Sequence, residues 1–215
     1  MPQRAMCLIA GLSMTCSTAF AAITYSAGQS EFTVGPGQKV VVPLFIDFDG
    51  NDATTLLSEK GLFSAGVSVA VTDSQPNGTP AQILALADIT PNVAAFSDPG
   101  GPTIVYNNTL SAGILVLADA FGSAGVIGQP LGASGRRVLG GSIAFTAGPN
   151  VGEVTTVHIS DFNANTSDTV TWESASELDA QIVKADFTIR VVPSPGTTVS
   201  LAAAGLTALR RRRDT

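Results

Sequence analysis

Apolar and polar residues alternate through much of the chain between residues 22 and 191. In the segment KVVVPLFIDF, every second position is apolar: Val40, Val42, Leu44, Ile46 and Phe48. The segments LFSAGVSVAVT and IVKADFTIRV repeat this pattern. A period of two matches a β-strand, in which successive side chains point to opposite faces. The sequence therefore predicts strands that each cover a core with one face.

Turn residues separate the alternating segments, as in GPGQ, DFDGND, SQPNGTP, SDPGGP and TAGPNVG. Gly, Pro, Asn and Asp favour turns because they supply unusual backbone angles or bond to their own backbone. Three further strands are predicted in RVLGGSIAFT, EVTTVHIS and GILVLAD. Many short strands joined by turns predict an all-β fold, an antiparallel β-sandwich spanning residues 22–191. A helical turn is expected near residues 54–60 or 81–88.

Charge and cysteine usage exclude several classes of partner. Both cysteines, Cys7 and Cys16, lie near the start of the chain, so a processed protein has no disulfide and no thiolate metal site. Removing Asp214 from the 17 acidic residues, and Arg4 with Arg210 to Arg213 from the 11 basic ones, leaves a body of net charge −10. Such a body repels nucleic acid and is compatible with divalent cations.

The first 21 residues have the layout of a secretory signal peptide, with an early Arg4, an apolar run and then small residues. Ala19 and Ala21 fit the A-x-A cleavage pattern, with cutting expected between Ala21 and Ala22. We therefore expect an N-terminal signal helix over residues 1–21 and an exported protein. A lipoprotein modified at Cys16 is an alternative, although Thr15 is larger than the residue usual before such a cysteine.

The last segment, residues 192–215, combines a hinge, an apolar run and a basic cluster. Residues 197–209 would form a short hydrophobic helix of about 20 Å, against about 30 Å for the hydrocarbon core of a bilayer. Arg210 to Arg213 would remain in the cytoplasm by the positive-inside rule. Pro193 and Pro195 favour an extended, accessible hinge. The segment reads as a temporary membrane stop or, alternatively, a plain anchor.

The tail resembles the PEP-CTERM sorting signal in its motif Val192-Pro193-Ser194-Pro195, its Gly/Ala/Leu-rich helix and its arginines. The arginine cluster is Arg210, Arg211, Arg212 and Arg213. The resemblance implies recognition by an exosortase, a membrane cysteine protease, and delivery to the cell surface or extracellular matrix of a bacterium that makes exopolysaccharide. Ser194 departs from the family pattern, which has Glu at this position.

The body resembles a cohesin-type sandwich, within the wider group of jelly-roll-like cohesins and carbohydrate-binding modules. The matching pieces are FTVGPGQKVVVPLFI, GLFSAGVSVAV and VLGGSIAFTAGPNVGEVTTVHISDF. The resemblance implies a fold, because these are hydrophobic patterns without an invariant chemical residue. Cohesins bind dockerin modules, and no residue of this chain carries that binding over.

Catalytic constellations are not found in the sequence. His158 is the single histidine, and its place between Val157 and Ile159 puts it on the outer face of a strand. One histidine without cysteine cannot fill a usual zinc site, and there is no G-x-S-x-G elbow. A glycosidase needs two carboxylates at a fixed separation, which the sequence does not reveal. We therefore expect a protein that is not an enzyme.

Two loops place oxygen donors at alternating positions, as calcium ligands would be. The loop DFNANTSD supplies Asp161, Asn163, Asn165 and Asp168. The loop DFDGND supplies Asp47, Asp49, Asn51 and Asp52. Calcium is thus the one candidate cofactor. In the alternative interpretation, these residues cap turns by bonding to their own backbone.

Three functions remain open for the body. The first is a non-catalytic surface or matrix protein that binds a polymer or another protein. The second is a secreted carbohydrate-binding module, with the single tryptophan Trp172 as its ligand contact, although only 6% of residues are aromatic. The third is an extracellular glycoside hydrolase that uses two carboxylates.

Overall fold

The computed structural model describes residues 23–76 and 78–194. Its strands are β1 (Ile23–Ser26), β2 (Glu31–Val34), β3 (Lys39–Phe48), β4 (Leu62–Gln75), β5 (Ile89–Pro91), β6 (Thr103–Asn108), β7 (Ser111–Leu117), β8 (Gln129–Leu131), β9 (Gly135–Thr146), β10 (Val154–Ser160), β11 (Val170–Thr171), β12 (Ile182–Lys184) and β13 (Phe187–Val191). One α-helix, α1 (Asn51–Ser58), joins β3 to β4. Short 3₁₀ turns lie at Leu86–Asp88 and Asp179–Gln181.

The strands form two sheets that pack face to face, which confirms the predicted β-sandwich. Sheet A has the order β12-β1-β3-β9-β5, with β8 also paired to β9. Sheet B has the order β2-β13-β10-β4-β7-β6, with β11 also paired to β4. The strand pairs are antiparallel except β1 with β12 and β2 with β13, which are parallel. The prediction of an antiparallel sandwich therefore holds apart from these two pairs.

The chain crosses from sheet A to sheet B near both ends of the body. After β1 in sheet A the chain continues as β2 in sheet B, and after β12 in sheet A it continues as β13 in sheet B. The expectation of one continuous strand through IVKADFTIRV is therefore wrong. The strand breaks at Ala185 and Asp186, and its first part turns Val183 outward, 54% exposed, while Ile182 is buried. Crossing between sheets reverses which residues face the core.

The core lies between the sheets and follows the predicted alternation. Val42, Leu44, Ile46 and Phe48 are all buried, as the pattern in β3 predicts. Phe187 packs edge-to-face against two other rings, with ring centroids 5.6 Å from Phe32 and 6.0 Å from Phe145. The described residues contain no cysteine, so burial and hydrogen bonding must stabilise this sandwich.

The predicted helical turns fall close to their expected places. α1 overlaps residues 54–60 and buries Ala53 and Leu56 at one end of the sandwich. The 3₁₀ turn Leu86–Asp88 falls within residues 81–88.

The predicted signal segment and most of the predicted C-terminal segment lie outside the described residues. This applies to the signal segment with Ala19, Ala21 and Ala22, and to the tail from Pro195 onward with Arg210, Arg211, Arg212 and Arg213. The first hinge residue is described: the Val192 N–H donates to the Val34 carbonyl of β2 at 2.9 Å. The hinge therefore starts on the sandwich itself. Within residues 23–76 and 78–194, no helix has the length and apolar character needed to cross a bilayer.

Candidate functional site

The predicted calcium loop, residues 161–168, folds back over the outer face of sheet B. Two glycines make room for it. A Cβ added at Gly66 would lie 2.4 Å from the Asp168 Cβ and 2.9 Å from the Phe162 Cβ. A Cβ at Gly113 would lie 2.9 Å from the Phe162 ring. The absence of side chains at Gly66 and Gly113 thus creates a seat for Phe162, and the loop covers part of this face.

Asp168 of this loop and the neighbouring Asp179 both accept backbone hydrogen bonds. Asp168 accepts from the Asn163 N–H at 2.6 Å. Asp179 accepts from the Asp168 N–H at 2.8 Å and from the Thr169 N–H at 3.1 Å. Asp179 also receives the Tyr25 hydroxyl at 3.3 Å, which ties the loop to β1. These bonds are those of turn-capping residues. Asp179 was not predicted from the sequence because it lies outside the segment DFNANTSD, in which oxygen donors occupy alternating positions.

Asp161 differs from its neighbours. Its Oδ1 atom is buried without a hydrogen-bond partner. Burial, together with the nearby charges of Asp179 and Asp168, raises the pKa of Asp161 to about 6. Burial also raises the pKa of Asp168. Backbone hydrogen bonds from Phe162 and Asn163 oppose this rise in the pKa of Asp161, and burial is the largest effect.

The structure brings Asp161 and Asp168 close to each other. The side-chain oxygen of Asn163 instead accepts a hydrogen bond from the Asn165 N–H at 3.1 Å. In the described part of the chain, no three His, Cys, Asp or Glu side chains form a group that could hold a metal ion. Calcium binding through Asp161, Asn163, Asn165 and Asp168 stays a prediction.

We expect Asp161→Asn to raise the free energy of unfolding by about 1 kcal/mol at about pH 8, after discounting the pKa shift for partial exposure. A carboxyl whose folded pKa is raised is more stable protonated, so its cost appears as pH rises from the unfolded to the folded pKa. The gain should therefore vanish near pH 4. Denaturant unfolding at both pH values measures it. Glu177→Gln, which also replaces an exposed carboxylate by an amide, is the control, and an equal gain at both pH values would contradict the prediction.

The second candidate loop does not assemble. Asp47 lies on the outer face of sheet A, where it is paired with Arg137. Asp52 belongs to α1, and burial with the nearby Asp49 charge raises its pKa. The four donors of DFDGND are thus divided among a sheet face (Asp47), the connecting turn (Asp49) and a helix (Asn51 and Asp52).

Trp172 is half-buried rather than displayed. Its ring packs on Phe63, with centroids 5.8 Å apart and planes at 51°. The backbone N–H of Trp172 donates to the Gly61 carbonyl at 2.9 Å, which fixes the backbone beside β4. A sugar-binding platform needs an accessible ring face. The arrangement is that of a packing residue at the edge of the sandwich.

His158 lies on the outer face of β10, as predicted, because Val157 and Ile159 on either side are buried. Its side chain is 48% exposed and its Nδ1 is hydrogen-bonded to the carboxylate of Asp186, itself 42% exposed. The prediction of a solvated strand histidine is confirmed.

A shallow apolar cleft lies on the outer face of sheet A. Its volume is about 360 Å³. It is lined by Phe45, Asn92, Ala95, Val126, Gly128, Gln129, Arg137 and Leu139. Phe45 and Leu139 are paired neighbours on β3 and β9, so they form its floor. Val126 and Gly128 come from the segment before β8, and Asn92 and Ala95 from the segment after β5.

Arg137 is held rigidly beside this cleft. Its Nε donates to Asp47 Oδ1 and its Nη2 to Asp47 Oδ2, both at 2.7 Å. Ser26 donates to the same carboxylate at 2.7 Å. The guanidinium also lies 4.5 Å from the centre of the Phe45 ring, in a cation–π contact. The hydrogen bond to Asp47 raises the pKa of Arg137. The charges of Arg137 and Asp47 compensate each other, and this bidentate pair fixes the position of Arg137 in the wall of the cleft.

The surface around the cleft is apolar and open to solvent. Val41 is 61% exposed and Leu139 is 36% exposed. At the other end of β3, Lys39 pairs with Asp88 at 2.5 Å, so this charge is also compensated. The sequence carried a signal for this surface: in KVVVPLFIDF the face opposite the core also contains apolar residues, Val41 and Phe45.

No protein-family model and no curated protein matches the chain significantly. Among solved structures, the fold is similar to the type III cohesin of the ScaE cell-surface anchoring scaffoldin from Ruminococcus flavefaciens (10% identity, TM-score 0.45, covering 80% of this chain and 99% of that one). It is similar to the sixth cohesin of scaffoldin B from Acetivibrio cellulolyticus (14% identity, TM-score 0.43, covering 80% and 98%). It is also similar to the seventh ScaB type I cohesin from Pseudobacteroides cellulosolvens (10% identity, TM-score 0.40, covering 82% and 96%). The likeness concerns the sandwich architecture.

Proposed function

We propose that this chain is an exported, non-catalytic binding module that engages a protein partner of the cell surface or matrix through the outer face of sheet A. The observation that carries the proposal is the open apolar cleft over Phe45 and Leu139. Exposed apolar patches on soluble domains mark interaction sites more often than random surface does. The paired charges at its border would orient a partner without repelling it.

The two sheets offer different surfaces. On sheet B, loop 161–168 occupies part of the outer face, and exposed or half-exposed positions of β10 such as Thr156, His158 and Ser160 are polar. On sheet A, Val41, Phe45 and Leu139 present apolar surface. A partner gains more free energy by covering the apolar face. This difference favours sheet A as the binding face.

The chemistry of the cleft supports binding rather than turnover. Of its lining residues, only Arg137 is charged, and Asp47 holds it in a bidentate pair. General acid–base catalysis needs a group that can exchange a proton near neutral pH. An arginine in a closed ion pair does not meet this need. Glycan binding through Trp172 has less support because that ring is packed against Phe63.

Export and sorting complete the proposal, and the terminal sequences support them. The signal segment would deliver the body outside the cytoplasmic membrane, and the tail would be recognised by an exosortase-type enzyme. An exopolysaccharide-bearing surface or matrix is then where the sandwich would meet its partner. The C-terminal segment would lie in the inner membrane until it is processed.

Fractionation of the native host tests both parts. We expect Leu139→Glu to be exported normally but recovered from the medium, because a charge in the cleft costs desolvation when a partner covers it. Leu57→Glu, at a 43% exposed position of α1, is the control and should stay in the envelope or matrix. Equal retention of both variants would overturn binding through sheet A. C-terminal peptides that end near Pro193 would support processing, and peptides that include Arg210 in the membrane fraction would overturn it.

A further inference from the structure

Phe121 is an aromatic side chain displayed almost entirely to solvent, at 93% exposure. The turn that carries it is ordered by its own hydrogen bonds. The Phe121 N–H donates to Asp119 Oδ1 at 2.9 Å, and the Gly122 N–H donates to the Asp119 carbonyl at 2.8 Å. The Gly125 N–H, which donates to the Lys60 carbonyl at 2.8 Å, ties the end of the turn to the body. The ring is therefore presented at low conformational cost.

A presented aromatic ring has the properties of a binding anchor. Anchors in protein interfaces are enriched in large rings that enter a desolvated pocket. Ordering the turn in advance lowers the entropy lost on binding.

The cleft on sheet A has the size and chemistry to receive such a ring. A cavity of about 150 Å³ lined by apolar side chains holds a benzene molecule. The cleft measures about 360 Å³, and Phe45, Ala95, Val126 and Leu139 give it apolar walls. A phenyl ring would therefore fit with room for its backbone to approach. The same chain thus displays both an anchor and a matching pocket.

The charge distribution on the outer face of sheet A is also compatible with docking of a second copy of this chain. The body carries a net charge of −10, so two copies repel each other wherever their acidic loops meet. The outer face of sheet A avoids this repulsion because Arg137 is paired with Asp47 and Lys39 with Asp88. Asp119 would enter the contact beside Phe121. Arg137 donates to Asp47 through Nε and Nη2, so its remaining N–H groups could donate to the Asp119 carboxylate of the second copy.

The outer face of sheet A sets an upper limit on the area of such a contact. Five strands spaced about 4.8 Å apart, with the longest, the 12-residue β9, running about 40 Å, give a face of at most about 950 Å². A stable interface of standard size buries about 800 Å² on each partner.

We propose that copies of this chain associate by docking Phe121 of one copy into the sheet A cleft of another. This deepens the proposed function, because it rests on the same cleft and names its partner. If each copy both gives and receives a ring about a two-fold axis, a closed dimer forms. If the contact is head-to-tail, the copies form an open chain, which would suit a matrix component.

Complementation between two variants tests the proposal. The exported protein, purified as the cell makes it, is followed by light scattering after size exclusion over a concentration series. We expect the mass of the wild type to rise with concentration. We expect Phe121→Ser and Leu139→Glu each to weaken association by about thirtyfold or more, the loss typical of a buried anchor. Mixing the two variants should restore a complex, because one keeps the cleft and the other keeps the ring.

Misfolding cannot mimic restoration in the mixture, since a damaged variant would not bind its complement. Val151→Ser, at a 55% exposed position outside the cleft and the Phe121 turn, is the control and should associate like the wild type. A wild type that remains monomeric, or a mixture that remains monomeric, overturns the proposal. If the wild type is monomeric while Leu139→Glu is still lost from the envelope, self-docking is wrong and the proposed binding function stands.

Discussion

Phe187→Ala is expected to lower the free energy of unfolding by about 3–5 kcal/mol. Phe187 is 1% exposed and contacts the rings of Phe32 and Phe145, which come from sheet B and sheet A. Its removal leaves a cavity between the two sheets and two rings without an edge-to-face partner. Domains of this kind are stable by only about 5–15 kcal/mol, so this single change removes a large share.

Denaturant unfolding followed by circular dichroism measures the loss. Phe121→Ala, which removes the same ring from a 93% exposed position, provides the matched control and should leave the stability of the monomer unchanged at protein concentrations too low for copies to associate. A loss below about 1 kcal/mol for Phe187→Ala would show that the sheets close over the cavity at little cost.

Gly128→Ala is expected to cost about 3 kcal/mol. The Gly128 φ of +78° lies in the left-handed region, which disfavours any residue with a Cβ. The added Cβ would also lie 2.3 Å from the Arg137 carbonyl oxygen and 2.8 Å from its carbonyl carbon. This neighbour is backbone of β9 and cannot rotate away. The segment that walls the cleft would have to move.

Gly132→Ala separates the two causes. Gly132 has a φ of +62°, but a Cβ there would have no atom within 4 Å. We expect it to cost about 1 kcal/mol, from the backbone angle alone. The difference between the two variants in denaturant unfolding measures the close approach of residue 128 to β9. Equal losses would show that Gly128 is required only for its backbone angle.

The alternation of apolar residues was enough to predict the sandwich, because the period of a strand is local information. Val42, Leu44 and Ile46 face the core wherever β3 lies in the sheet, because every second side chain of a strand points to the same face. Turn residues marked where strands end for the same reason. These signals do not depend on which strands become neighbours.

Long-range contacts explain what the sequence did not reveal. The break before Phe187 depends on parallel pairing with β1 and β2, about 160 residues earlier in the chain. The role of Asp179 depends on turn N–H groups ten and eleven residues away. The cleft requires Phe45, Ala95 and Val126 to meet, and no local pattern joins them. The apolar outer face of β3 was visible in the sequence, but its significance depended on what covers it.

The shared crossing of the two chain ends has a mechanical consequence. β13 is the last strand before the tail, and it lies between β2 and β10 with hydrogen bonds on both sides. A pull applied to the tail along the direction of this strand would load these bonds in shear, so they would resist together rather than opening one at a time. Resistance to such a pull is governed by the rate of forced unfolding, not by equilibrium stability. The strand beside the hinge would thus transmit tension from a tethered tail into the centre of sheet B.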